Sequence, residues 1–231
     1  MGEIYLVRHG QASFEAADYD QLSDLGFEQA RRLGLWLAET GQRFNLAVTG
    51  ALRRHHQTAA SCLTALGSGC PRIADPGFDE YDHGEMLTRY DPRLGTPEGI
   101  RAITEAQPSP RRAFQEIFAA AFARWSEGEH DEEYRESFEA FRRRCLDALK
   151  RRIAAAERSD RIIIFTSGGP IAIVAQAALG FADDRVAALN FSLANAAVTT
   201  LFYSSSGLSL GTLNSFQHLE QARPERLVTY R

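Results

Sequence analysis

Cysteine is scarce in this chain. Cys62, Cys70 and Cys145 are odd in number, widely spaced and set mostly among apolar residues, which argues against a disulfide framework and suits buried thiols in a reducing compartment; the cytoplasm is the expected location. A strong charge of either sign is also missing. The 26 basic and 30 acidic residues leave a net −4, which gives no general field for nucleic acid or an anionic membrane, so any phosphate affinity must be local. No stretch approaches the roughly 18 consecutive apolar residues of a membrane span. Met1-Gly2-Glu3 enters an apolar run without a basic leader, and Tyr5-Leu6 stands where a myristoylation site needs a small or hydroxyl residue. Internal repeats and low-complexity blocks are absent.

What is present is enough for one sizeable core: 231 residues, 44% of them hydrophobic, expected to form a single domain over 1–231. Strand-like runs at 3–9, 46–50, 162–166, 197–203 and 208–213 alternate with helical patterns. That alternation predicts an α/β fold, with a mainly parallel sheet between helices on both faces. One helix opens at Leu22-Ser23-Asp24 and stops at Gly41; a second runs from Ala51 to Leu66, and a third from about 137 to 157 with a solvated basic face. Residues 86–131 contain Pro92, Pro97, Pro108 and Pro110 and a helix whose Phe114, Ile117, Phe118, Ala121, Phe122 and Trp125 make one wide stripe. This segment is predicted to be a helical insertion over the sheet, with the stripe serving first as packing and the segment as a lid that sets selectivity.

The most informative stretch is Ile4-Tyr5-Leu6-Val7-Arg8-His9-Gly10. An apolar strand ending on a cation and an imidazole, before a glycine that lets the backbone turn, suits covalent phosphoryl chemistry with His9 as nucleophile. The same triplet also reads as an ion-paired Arg8 beside a histidine at a sheet edge. Arg53, Arg54, His55 and His56 crowd the start of the second helix, where basic groups oppose the macrodipole and point to an anionic partner. His55 and His56 point about 100° apart on a helix and are a poor metal pair, and no metal site or cofactor is expected.

Four segments together resemble the histidine phosphatase superfamily, which includes cofactor-dependent phosphoglycerate mutase. They are Leu6-Val7-Arg8-His9-Gly10 with Leu22-Ser23-Asp24-Leu25-Gly26 and Gln29-Ala30; Thr49-Gly50-Ala51-Leu52-Arg53-Arg54-His55-His56-Gln57-Thr58-Ala59; Phe78-Asp79-Glu80-Tyr81-Asp82-His83-Gly84; and Ile162-Ile163-Ile164-Phe165-Thr166-Ser167-Gly168-Gly169-Pro170-Ile171. Asn214 and His218-Leu219 fit the closing region. The resemblance implies a phosphoglycerate mutase-like three-layer sandwich, a nucleophile at His9, phosphate-binding arginines at Arg8 and Arg54, and a proton donor at Glu80, chosen over Asp79 and Asp82 on that likeness. Two guanidinium forks meet the equatorial phosphoryl oxygens and keep His9 neutral. Where the family normally carries a second histidine, this chain has Ser167.

Ser167 reads as a helix N-cap accepting a backbone N–H, with Pro170 fitting the first helical position. The N–H groups of Gly168 and Gly169, with the serine hydroxyl, remain available to an anion. His83, His55 and His56 are the imidazoles that could fill the gap, though each reads first as a surface or edge histidine. Gln11 and Ser13 follow Gly10 and are candidate phosphate contacts; the stretch Phe14-Glu15-Ala16-Ala17 offers no asparagine. The leading expectation is a metal-independent phosphomonoesterase working through phosphohistidine on a phosphorylated small molecule or phosphoprotein. A phosphate- or phosphoprotein-binding module with little turnover, and a phosphoglycerate-type mutase, are the alternatives. Neither nucleic acid nor membrane is an expected partner, and both monomer and homodimer are compatible with the sequence.

Overall fold

The computed structural model describes residues 1–13, 20–205, 207–220 and 227–230. Six strands form one sheet: β1 (Gly2–Arg8), β2 (Leu46–Thr49), β3 (Arg72–Ala74), β4 (Arg161–Thr166), β5 (Val198–Ser204) and β6 (Gly207–Ser215), in the order β3-β2-β4-β1-β5-β6. The first four strands run parallel, and β5 and β6 close one edge antiparallel. The sheet is therefore mixed and mostly parallel, as the alternating pattern predicts. Edge strand β3 was not expected; its three exposed residues carry no apolar run.

Alternation along β1 builds two layers of core. Ile4 and Leu6 face α6 (Phe138–Ala154) and α7 (Gly168–Leu179) through Leu149, Ile171 and Val174. Tyr5 and Val7 face α1 (Asp24–Glu39) and α2 (Arg53–Leu66) through Leu33, Leu37, Cys62 and Leu66. Both faces of β1 are buried, as a parallel strand covered by helices on each side requires. Helix α1 begins where expected because the Ser23 hydroxyl accepts the Gly26 N–H at 3.1 Å, and Gly41, at φ +68°, follows its end. Residues 83–126 form α3 (His83–Tyr90), α4 (Pro97–Thr104) and α5 (Pro110–Ser126). Phe118, Phe122 and Trp125 of α5 join Tyr81, Met86, Phe138 and Phe141 in a separate aromatic core.

The chain closes through α8 (Asp184–Ser192), β5, β6 and the short α9 (Gln217–Glu220). Its His218 is 4% exposed, stands 6.0 Å from the Trp36 ring and has no partner for Nε2 among the described residues. Burial pushes this imidazole down to about 4 from 6.5. The unfolded chain therefore takes up the proton first, so stability present above pH 6.5 is lost as pH falls through about 4, in all about 3 kcal/mol. His218→Phe keeps a ring against Trp36, and urea denaturation at pH 7 and pH 4.5 should show a smaller acid loss in the variant than in the wild type.

Candidate active site

Parallel pairing sets the carboxyl ends of β1, β2 and β4 side by side, the edge at which open α/β sheets build sites. The His9 N–H donates to the Thr166 carbonyl at 2.8 Å and the Gly50 N–H to the Phe165 carbonyl at 3.0 Å, so the three turns leave the sheet together. Gly10 lets the first turn pass under α1, since a Cβ there would lie 2.3 Å from the Gly26 carbonyl oxygen. A cavity of about 220 Å³ opens over this edge, and Arg8, His9, Arg54, Glu80 and His83 are among its lining residues. Leu87, Ile100, Phe114, Phe118 and Phe191 supply apolar lining.

His9 is 8% exposed, and its Nδ1 lies 2.7 Å from the Gly10 carbonyl. A carbonyl only accepts, which assigns the neutral ring's proton to Nδ1 and leaves Nε2 as a lone pair. Burial first, then Arg54 and Arg8, hold the imidazole well below its usual 6.5. Arg8 donates through Nη1 to the Leu193 carbonyl and to that of Tyr230. Arg54 donates to Asp20 at 2.8 Å, while its buried Nε has no partner among the described residues. The other Asp20 oxygen accepts the Arg53 N–H at 2.8 Å. Asp20 is thus an internal anion at the start of α2, which the sequence reading did not single out.

The carboxylates around residue 80 separate by geometry. Asp82 accepts the Glu85 N–H and caps α3, and Asp79 accepts the Ala51 N–H at 2.6 Å. Glu80 is the one that lines the cavity. Its segment is held by Arg144, whose Nη1 donates to the carbonyls of Pro76, Gly77 and Asp79 while its guanidinium forks onto Glu136 at 2.7 and 2.8 Å. Burial raises the Glu80 carboxyl above 4.5, opposed by the Gly169 N–H, Arg54 and Arg8.

Several expectations need correction. Ser167 stands at the N-cap position of α7 but accepts no backbone N–H, and Pro170 is the third helical residue, not the first, because the helix starts at Gly168; the serine hydroxyl lies 2.7 Å from Nε2 of His55. The serine prefers that partner because His55, expected at a surface or edge, is wholly buried and turned toward β4. The Gly169 N–H is not open to an anion, since Glu80 takes it at 3.1 Å. Gly168 is buried against Asn190, whose Oδ1 would lie 1.9 Å from a Cβ at that position. Ser13 pairs through its N–H with the Gln21 carbonyl and does not line the cavity. Gln11 lines an adjoining chamber of about 510 Å³, with Arg111, Phe114, Phe191 and Tyr230. His56 turns to Thr49, with Nδ1 3.1 Å from the hydroxyl. Residues 14–17 lie outside the described residues.

Phe114 and Phe118 both pack and line the cavity, so the aromatic stripe has two uses. Asn190 and Tyr230 also line it, and no local sequence signal marked either of them.

Comparison with known proteins agrees with this architecture. The family model described as histidine phosphatase superfamily (branch 1) matches residues 4–113 and 103–215. A 2,3-bisphosphoglycerate-dependent phosphoglycerate mutase of Methylorubrum populi is 33% identical over 99 residues, which cover 39% of this chain and 47% of that protein. One from Azorhizobium caulinodans is 36% identical over 99 residues, 39% of this chain and 48% of its own length. The chain thus spans about half the length of these curated relatives. Among solved structures, Bacillus stearothermophilus YhfR superposes with a TM-score of 0.69 at 19% identity, covering 94% of this chain and 99% of that one. A mycobacterial glucosyl-3-phosphoglycerate phosphatase complexed with VO3 gives 0.64 at 23% identity, covering 93% of this chain and 100% of its own. Those structures share the fold, and the family match, which takes in all three turns at the sheet edge, shows that the chain belongs to branch 1 of the histidine phosphatase superfamily.

Proposed function

We propose that the chain is a metal-independent phosphomonoesterase that passes a phosphoryl group from its substrate to Nε2 of His9 and from there to water. The observation that carries this reading is one cavity lined by an imidazole lone pair, two guanidinium groups and a carboxyl raised toward its protonated form. In the first step the Nε2–P bond forms and the P–O bond to the alcohol breaks, with the Glu80 proton going to the leaving oxygen. In the second step a water oxygen bonds to phosphorus, the N–P bond breaks and the Glu80 carboxylate takes the water proton. Arg8 and Arg54 meet the charge spread over the equatorial oxygens. The apolar side chains in the lining favour an apolar leaving alcohol over a sugar acid, because both guanidinium groups among the described lining residues, Arg8 and Arg54, are assigned to the phosphoryl oxygens.

A labelled aryl phosphate tests the reading. Quenching the wild type in alkaline detergent within one turnover should leave the phosphoryl label on the peptide carrying His9, in an acid-labile and alkali-stable linkage. His9→Ala should carry none. Turnover without that linkage overturns the covalent route, and phosphate binding without turnover replaces the enzyme by a binding module. Gly169→Ala checks the acid independently. Its Cβ would come within 2.0 Å of Glu80 Oε1 and 2.9 Å of the Tyr81 ring, so Glu80 must move; kcat should fall by about 10²-fold, the order expected for a 1 Å misplacement, with KM little changed.

A further inference from the structure

The start of α2 is capped from elsewhere in the chain. Its N-cap residue is Leu52, which has no side-chain acceptor to offer, and the next two positions are Arg53 and Arg54, cations at the positive end of the helix dipole. Asp20 supplies both the missing acceptor and the missing anion. One carboxylate oxygen accepts the Arg53 N–H at 2.8 Å, and the other accepts Nη1 of Arg54 at 2.8 Å. The place of Asp20 is itself fixed by a short pairing of the segments on either side of it. The Ser13 N–H donates to the Gln21 carbonyl at 2.8 Å and the Ser23 N–H to the Gln11 carbonyl at 2.9 Å, around an antiparallel bridge between Ala12 and Leu22. This base starts just after His9 and Gly10, and it is tied to α2 because the Leu22 N–H donates to Gln57 Oε1 at 2.8 Å. Arg54 lines the cavity and is 7% exposed, whereas Asp20 is not among the described lining residues. The carboxylate therefore reaches the site only through the guanidinium it holds.

We infer that Asp20 is a positioning residue for phosphoryl transfer: by holding Nη1 of Arg54 it sets the Nε–Nη2 edge of that guanidinium toward the transferring phosphoryl group. This rests on the phosphoryl-transfer reading above. A guanidinium meets two phosphate oxygens only when one edge of its plane is presented to them. With Nη1 engaged by Asp20, the Nε–Nη2 edge lies on the side away from the carboxylate, and the buried Nε has no partner among the described residues. A carboxylate suits this task better than a single carbonyl, because its second oxygen binds the backbone of the preceding residue and so fixes the side chain relative to its own helix. A fork held before the substrate arrives stabilises developing charge without the cost of reorganisation. The same carboxylate lowers the positive field of the site, so it opposes the binding of a free anion while it orients the group that meets the transition state.

Vanadate as transition-state mimic, inorganic phosphate as ground-state mimic, and kcat/KM for the aryl phosphate provide the test. Asp20→Ala should lower kcat/KM and weaken vanadate binding by about 10²-fold, the order expected for a 1 Å misplacement. Phosphate should bind it at least as tightly as the wild type, because a repelling charge has gone. Asp20→Asn, whose one carbonyl oxygen serves only one of the two donors, should lose about tenfold, the order of a single hydrogen bond to a charged group. In an Arg54→Ala background, Asp20→Ala should change kcat/KM by less than about threefold, since the group it acts through is absent. Three results overturn the inference and leave the phosphatase reading intact: wild-type kcat/KM in Asp20→Ala with only a lower urea midpoint, vanadate and phosphate weakened alike, or an equal loss in the Arg54→Ala background. If Asp20→Ala fails to fold, Asp20→Asn decides, and wild-type kcat/KM and vanadate affinity in that variant overturn the inference. A wild type that neither turns over nor binds vanadate overturns both.

Discussion

Arg54→Ala should lower kcat/KM by roughly 10³-fold to 10⁵-fold, the range over which a guanidinium stabilises a phosphoryl transition state. Arg54 lines the cavity beside His9, is 7% exposed and carries a buried Nε without a partner among the described residues. Its ion pair with Asp20 leaves the rest of the fork for phosphate oxygens. Stability should change far less than activity, since Asp20 keeps its bond to the Arg53 N–H and α2 remains buried through Ala59, Cys62 and Leu66. Arg54→Lys should recover only part of the rate, because an ammonium cannot span two oxygens. A second readout separates charge from packing. Arg54 stands first among the charges that depress His9, behind burial, so the acid limb of the pH–rate profile should move to higher pH in Arg54→Ala. A loss below tenfold with an unmoved acid limb would remove Arg54 from the transition state.

The sheet and the residues at its edge were legible because they rest on short-range rules. Buried parallel strands read as apolar runs, and Ser23, Gly41 and Pro110 punctuate helices where capping chemistry puts them. Arg8, His9, Arg54 and Glu80 were named from strand ends and a family likeness, and the fold brings all four to one cavity. What the sequence concealed lies in pairings across long separations. Nothing local distinguishes His55 from its neighbour His56, yet one helix face turns the first inward to Ser167 and the second to Thr49. Ser167 carries ordinary cap chemistry, and the imbalance was decided by a partner 112 residues away. Asp20 is likewise invisible as a neighbour of Arg54 until β1 and α2 are placed together. The cavity wall was half legible, since a helical stripe shows burial but not that Phe114 and Phe118 also border open space.

Glu80→Gln should show its effect chiefly with poor leaving groups: kcat for an alkyl phosphate should fall by about 10²-fold to 10⁴-fold, the span of general acid catalysis. An activated aryl ester, whose phenolate leaves unaided, should lose much less in the step that releases it. The substitution is nearly isosteric, and its amide oxygen still accepts the Gly169 N–H that holds Glu80 at 3.1 Å, so the fold is preserved and the deficit belongs to the proton. The pH profile gives the sign. Activity rises with pH as Nε2 of His9 loses its proton, at a value well below 6.5, and falls with pH as Glu80 loses its own, at a value above 4.5. A bound phosphoryl dianion offsets Arg8 and Arg54, the charges that lower both groups, and so raises both limbs in the complex relative to the free protein. Glutamine cannot titrate, so the variant should lose the basic limb and keep the acid one. A basic limb that survives unchanged would assign the acid to another group, and His83, which lines the same cavity three residues further on, would be the next to replace.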